Sequence, residues 1–229
     1  MELSSKEKLI GVTFNDKNLL VQAFTHRSYI NENRNLKLSH NERLEFLGDA
    51  VLELVTTEFL YAKYPLKTEG DLTAIRAALV NTVTLAEVGT ELKFNSELLL
   101  SKGEAKDTGR ARQAILANTF EAITGAIYLD QGYDVARAFI ANALLPRTDI
   151  IVSEGLWVDA KSKFQEKAQE HMSQTPSYDT VSEEGPDHDK QFLVGVFVGG
   201  EKIATGTGKS KQDAEQAAAR EGLKIKGWL

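Results

Sequence analysis

The feature that most constrains this chain is one segment from Asn41 to Tyr64, NERLEFLGDAVLELVTTEFLYAKY. Leu44, Leu47, Val51, Leu54 and Val55 fall at i, i+3, i+7, i+10 and i+11, which is the spacing of one helical face and not of a strand. The same helix carries three carboxylates, Glu42, Glu45 and Asp49. At roughly 100° per residue, Glu45 stands about 60° from Glu42 and Asp49 about 20° from it. The three acids are therefore expected on one face, opposite the apolar stripe. Acids placed so are ordinarily a solvated outer surface. The alternative is a hard-cation site, because Mg²⁺ takes oxygen ligands and suits a few carboxylates converging from two helices.

The remaining pattern divides the chain in two. Gly70 marks a turn, and Asp71 is expected to cap a second helix through Leu72, Ile75, Leu79, Val83 and Leu85-Ala86. A third helix is expected over about 112–129, with Ile115, Leu116, Phe120, Ile123 and Ile127 as its stripe and Asn118 and Glu121 facing away from it. A fourth runs from Val135 towards Leu145 and stops at Pro146; the polar stretch 101–110 reads as a loop. Residues 147–158 read as a linker. Asp159 then caps a helix through Phe164, Ala168 and Met172. Strand-like segments follow at 178–182, 191–198 and 202–206, with a hairpin turn at Gly199-Gly200, before an alanine-rich helix over 212–224. The expected architecture is an all-α domain over 1–146, a linker over 147–158, and a small α+β domain over 159–229 in the order α-β-β-β-α.

Composition narrows the chemistry. The chain has 229 residues, 42% of them hydrophobic, and no cysteine. That content suffices for a core and excludes disulfides, a thiol nucleophile and thiolate metal sites. No run approaches 18 consecutive apolar residues, and the start lacks the apolar centre of a signal peptide, so a cytoplasmic protein with no membrane partner is expected. The histidines offer no Ser/His/Asp or His-ligand spacing; His26 reads as a capping or packing residue, His40 and His171 as surface. A net charge of −6, from 27 basic and 33 acidic residues, argues against nucleic acid if taken as a bulk quantity. Charge is local, however. Lys202, Lys209 and Lys211 occupy an acid-free window between Glu201 and Asp213.

The string Asn41-Glu42-Arg43-Leu44-Glu45-Phe46-Leu47-Gly48-Asp49 resembles, position for position, the signature helix of the ribonuclease III family. Supporting matches are Thr25-His26-Arg27-Ser28, Glu69-Gly70-Asp71-Leu72, Ile115-Leu116-Ala117, Phe120-Glu121-Ala122 and Ala126-Ile127-Tyr128-Leu129-Asp130. The resemblance runs in order along nearly the whole chain, and the last domain resembles a double-stranded RNA-binding domain. It implies a homodimeric, Mg²⁺-dependent endoribonuclease for double-stranded RNA, with Mn²⁺ as a substitute and no small organic cofactor. The products it implies carry 5′-phosphate and 3′-hydroxyl ends with a short 3′ overhang, and the substrates are structured rRNA and mRNA precursors. By the same resemblance Glu45, Asp49 and Glu121 are catalytic and metal-site carboxylates, Glu42 and Glu69 accessory acids, and Phe46 a dimer-interface residue. Ser162, Gln165 and Glu166 would touch one minor groove and His188, in Pro186-Asp187-His188, the next. Lys209, Ser210 and Lys211 would meet phosphates at a helix N-terminus.

Two places depart from the family pattern. Asn118 stands where the family most often has aspartate, so a metal-site position keeps an oxygen donor but loses a charge. Gln212 and Glu215 stand where further lysines are common. The alternative function is a non-catalytic or attenuated double-stranded RNA-binding protein. A small-molecule hydrolase with a helical metal site lacks its histidine motifs here.

Overall fold

The computed structural model describes residues 3–106, 108–186 and 190–228. The chain forms two compact units, Met1–Trp157 and Val158–Leu229. In the first, the helices are α1 (Leu3–Ile10), α2 (Lys17–Ala23), α3 (Arg27–Glu32), α4 (Glu42–Lys63), α5 (Glu69–Val80), α6 (Thr82–Glu91), α7 (Arg110–Gln131), α8 (Tyr133–Ala143) and α9 (Arg147–Ser153).

Helix α7 is the axle of this unit. Ile115, Leu116, Ala117, Phe120, Ala122, Ile123, Ala126 and Ile127 are all buried, with Thr119 and Thr124 among them, so the single stripe expected from sequence is in fact burial on nearly every side. The two threonine hydroxyls donate to the carbonyls of Ile115 and Phe120, which satisfies them without leaving the helix. Against α7 lies α4, presenting Leu44, Gly48, Val51, Leu52, Val55 and Leu60. Leu54, placed in the apolar stripe by spacing, is instead 52% exposed. The contact centres on Gly48, which has no side chain for a hydrophobic pattern to register.

The crossing is a backbone-to-backbone one. A Cβ on Gly48 would lie 1.8 Å from the carbonyl oxygen of Glu121, and one on Gly125 would lie 2.2 Å from that of Leu44. Each glycine sits on the opposing helix's main chain.

Three expectations about helix ends are corrected. The second helix is capped by Thr68, not Asp71: Thr68 and Asp71 form a reciprocal capping box, which places Glu69 inside the first turn. That helix also stops at Asn81, whose backbone is extended and whose side chain accepts from the Thr84 amide to start α6. The result is two helices bent by 44°. The segment 147–158 is not an extended linker. Residues Arg147–Ser153 form α9, with Thr148 and Ile151 buried and Trp157 packed against the same core. Pro146 ends one helix but tolerates the start of the next, and Arg147 ties α9 to Glu87 and Glu91 of α6 at 3.3 and 2.7 Å.

The second unit comprises α10 (Ala160–Met172), β1 (Ser177–Glu184), β2 (Gln191–Val198), β3 (Glu201–Gly208) and α11 (Lys211–Lys226). The strands form one antiparallel sheet in sequence order. Val196 and Val198 face both helices and pack with Phe164, Ala168, Ala218, Ala219 and Leu223. Asp159 caps α10 as expected by accepting from the Ser162 amide, and Gly199 and Gly200 turn the β2–β3 hairpin at φ 63° and 84°.

Gly48→Ala is expected to lower the stability of the helical unit by about 3 kcal/mol or more, since an overpacked methyl here meets main chain that cannot rotate away. Gly70→Ala, whose new Cβ would meet only Thr68 Oγ1 at 3.9 Å, should cost nothing. Denaturant midpoints followed by circular dichroism separate the two, and equal midpoints would show that the crossing relaxes freely.

Candidate active site

The close crossing decides which acids meet. Taking Gly48 as the contact point, Glu45 and Asp49 stand about 60° and 100° to one side of it. They border the α7 contact and do not lie opposite the apolar face, as the spacing alone had suggested. On α7 the residues beside the crossing are Asn118 and Glu121. Glu45 and Glu121 are half-buried and Asp49 is exposed.

Burial, and then the charges of Asp49 and Glu45, push the Glu121 carboxyl up to about 8. Glu45 is also raised, first by burial and next by the charge of Glu42, while a hydrogen bond from the Asn118 side chain pulls it back. An aspartate at position 118 would have no N–H to donate. Glu42 is exposed at the rim, with Arg27 Nη1 and His40 Nδ1 each 3.7 Å from its carboxylate oxygens.

Structure therefore brings together Glu45, Asp49, Asn118 and Glu121, with Glu42 beside them. Glu69 is elsewhere. It accepts a hydrogen bond from Thr73 Oγ1 at 3.0 Å and lines a pocket with Tyr61, Leu72 and Arg76. Tyr61 lies 16 residues along α4 from Glu45, a rise of about 24 Å. Among the described residues of one chain, no three His, Asp or Glu side chains close on a point to hold an ion. The donor set nonetheless suits a hard cation: it is all oxygen, partly desolvated, and the charges acting on Glu121 are both negative. Phe46, adjacent to Glu45, is 82% exposed.

His26, read from the sequence as a capping or packing residue, is a cap. It caps α3 by accepting from the Ser28 amide, and Ser28 Oγ in turn accepts from the Ser101 amide, so the loop beyond α6 is fastened beside the α4 N-terminus.

In the second unit, Gln165 and Glu166 are exposed on α10, and Ser162 Oγ donates to Asp159 Oδ2 at 2.9 Å. Ser210 caps α11 by accepting from the Asp213 amide. Lys211, expected just before that helix, is its first residue and lies 2.9 Å from Glu183 Oε1. His188 lies outside the described residues. The acid-free window is not one patch: Lys202 is at the start of β3 and Lys209 just past its end, about 23 Å apart along a strand.

Residues 16–148 match the family model described as ribonuclease-III-like, and 160–226 match the double-stranded RNA binding motif. The chain belongs to the ribonuclease III family. Ribonuclease 3 of Enterococcus faecalis is 48% identical over 214 residues, covering 93% of both chains. Ribonuclease 3 of Bdellovibrio bacteriovorus is 46% identical over 223 residues, covering 97% of this chain and 95% of its own. The crystal structure of the nuclease domain of ribonuclease III from Campylobacter jejuni aligns with a TM-score of 0.56 at 39% identity, over 62% of this chain and 92% of that one. As a family member joining a nuclease domain to a duplex-binding domain, the protein is an endoribonuclease for double-stranded RNA. No single helix among the described residues is long and apolar enough to cross a membrane.

A carboxyl raised from its ordinary value of 4.5 to about 8 holds its proton more tightly in the folded state. Between those values the folded chain binds more protons than the unfolded one, so stability falls as pH rises. With divalent ions removed by chelator, the melting temperature should decline across that window, and Glu121→Gln should flatten the decline. An unchanged profile in the variant would show that Glu121 is not the group responsible.

Proposed function

We propose that this ribonuclease uses Mg²⁺, or Mn²⁺ in its place, held by Glu45, Asp49, Glu121 and the Asn118 amide oxygen. We propose further that it acts as a homodimer in the cytoplasm on structured rRNA and mRNA precursors, leaving 5′-phosphate and 3′-hydroxyl ends with a short 3′ overhang. The observation that carries this reading is the convergence of those four side chains across the Gly48–Gly125 crossing.

When bound, the cation supplies activation of a water and stabilisation of the leaving oxygen of the phosphodiester. The chain's own residues do the rest. The Asn118 amide orients Glu45, leaving its carbonyl oxygen available as a donor atom. Glu121, half-buried between α4 and α7, keeps its proton near neutral pH until another positive charge offsets Asp49 and Glu45. Asp49 stays in solvent contact where a substrate can reach it. Glu42 stands at the rim, with the Arg27 guanidinium 3.7 Å away, as an accessory acid.

Exposure supports the dimer. Phe46, Leu54 and Tyr61 are 82%, 52% and 76% exposed along one side of α4, an apolar face that a second copy would cover. The Campylobacter jejuni relative has a region described as involved in dimer formation. A two-fold pairing through this face with the α4 helices antiparallel would carry Glu69, at the far end of α4, towards the partner's acidic set, which suits its role as a second accessory acid. In the RNA-binding unit the exposed Gln165 and Glu166, with Ser162 and His188, are assigned to minor grooves, and Lys209, Ser210 and Lys211 to phosphates.

Long duplex RNA incubated with Mg²⁺ should yield fragments ending in 5′-phosphate, and none in chelator; duplex that is retained but left intact under both conditions would mark a non-catalytic binder instead. Asn118→Asp should lower the Mg²⁺ concentration giving half-maximal cleavage, because a hard cation gains an anionic partner. Identical half-saturation for the two proteins would remove Asn118 from the metal site. Phe46→Glu should shift the protein from dimer to monomer in sedimentation; a stable dimer would place the interface on another face.

A further inference from the structure

Helix α9 ends in a closure that aims one side chain. The Leu156 amide donates to the carbonyl of Ile151 at 2.9 Å and the Gly155 amide to that of Val152 at 3.3 Å, with Gly155 in the left-handed region at φ 65°. This pair of bonds turns the chain back over the helix it leaves. The reversal delivers Trp157 to the turn between α4 and α5. There the Lys67 ammonium lies 4.7 Å from the centre of the Trp157 ring and 5.8 Å from that of Tyr64. Lys63, the last residue of α4, reaches the same segment: its ammonium is 2.6 Å from Asp149 of α9 and 5.8 Å from the Tyr64 ring. Residues 147–157 therefore grip the α4–α5 turn at two points, through lysines on either side of Tyr64. Lys67 is followed by Thr68, the cap of α5, and by Glu69, its first residue, and Lys67 and Glu69 line the same pocket.

We infer that Trp157 is a positioning residue for Glu69, acting through Lys67. The inference rests on the reading of Glu69 as an accessory acid and adds what holds that acid in place. Within α5 the direction of Glu69 is set locally: its carboxylate accepts from Thr73 Oγ1 at 3.0 Å, and the Thr68–Asp71 capping box fixes the first turn. Where that first turn stands relative to α4 is a separate matter, decided by the turn at Lys67. Glu69 itself is exposed, so it brings no buried surface to anchor its end of the helix. Lys67 is half-buried. An ammonium over an indole face is attracted by the ring while its stem packs beneath it, and this holds the main chain two residues ahead of Glu69. Without the ring, Lys67 is free to turn towards water and the start of α5 loses its outer support. Misplacement by about 1 Å at a reacting centre costs up to about a hundredfold in rate, so a smaller displacement of an accessory acid is read as a several-fold loss.

The test is a double-mutant cycle on the full chain. It is read as single-turnover cleavage of a long duplex RNA in Mg²⁺ with the protein in excess, beside duplex binding in chelator. Trp157→Ala should slow cleavage several-fold and leave duplex affinity unchanged, while Trp157→Phe, which keeps a ring under the ammonium, should recover most of the rate. Lys67→Gln should reproduce the loss with the tryptophan in place, and Lys67→Arg should restore it. Glu69→Gln should slow cleavage by itself, and adding Trp157→Ala or Lys67→Gln to it should slow it no further, because the residues act in series. The Lys67→Gln cycle decides the matter if Trp157→Ala fails to fold by circular dichroism. Losses that multiply with that of Glu69→Gln would mark a general loosening of the unit and overturn the positioning role. Wild-type rates in Trp157→Ala and Lys67→Gln, with Glu69→Gln slow, would overturn it while leaving the accessory acid standing. A Glu69→Gln protein that cleaves at the wild-type rate would overturn the accessory-acid reading, and the positioning role with it.

Discussion

Helices α4 and α7 touch through their main chains at Gly48 and Gly125, and most of what this nuclease domain does follows from that contact. Side chains ordinarily hold packed helices 8–10 Å apart. With no Cβ on either side, the carbonyls of Glu121 and Leu44 fill the space that side chains would take. Glu45 and Asp49, both to one side of Gly48, are thereby drawn against Asn118 and Glu121. A looser crossing would leave the same acids on two solvated faces, each near its ordinary pKa and each without a partner.

Drawing acids together has a cost that the fold accepts. Glu121 is driven up to about 8 by burial and by two neighbouring carboxylates, so without a cation the site destabilises the domain it sits in. The surrounding core bears this: α7 is buried along most of its length, and its threonines bond back to their own helix. Asn118 eases the crowding in two ways, by contributing no charge and by donating a hydrogen bond to Glu45. An aspartate there would add a negative charge beside Glu45 and remove the hydrogen bond.

The RNA-binding unit solves a different electrostatic problem. It carries 10 basic and 12 acidic residues, so no bulk field draws it to a polyanion. Attraction must be assembled locally. Ser210 caps α11 and places Lys211 in its first turn, where Lys211 and Lys190 both pair with Glu183. Lys202, near in sequence, is removed by the length of a strand.

The sequence by itself determined the element types, the two-domain order and the family, because these depend on local periodicity, capping residues and a dense run of matching positions. Helix boundaries were less legible where two signals competed: Asp71 looked like a cap but serves as the return partner of Thr68, and Asn81 broke what read as one helix. The polar composition of residues 147–158 concealed α9, whose burial depends on a core surface formed elsewhere. Only the tertiary structure decided which acids meet. Helical angle alone set Glu42, Glu45 and Asp49 opposite the core and gave Glu69 no location, since a hydrophobic pattern cannot register a glycine as the centre of a contact. The physical reason is the same for the lysines: proximity of charges is a property of the packed backbone, which brings Lys190 and Lys211, 21 positions apart, to one carboxylate and separates Lys202 from Lys209 by the length of a strand.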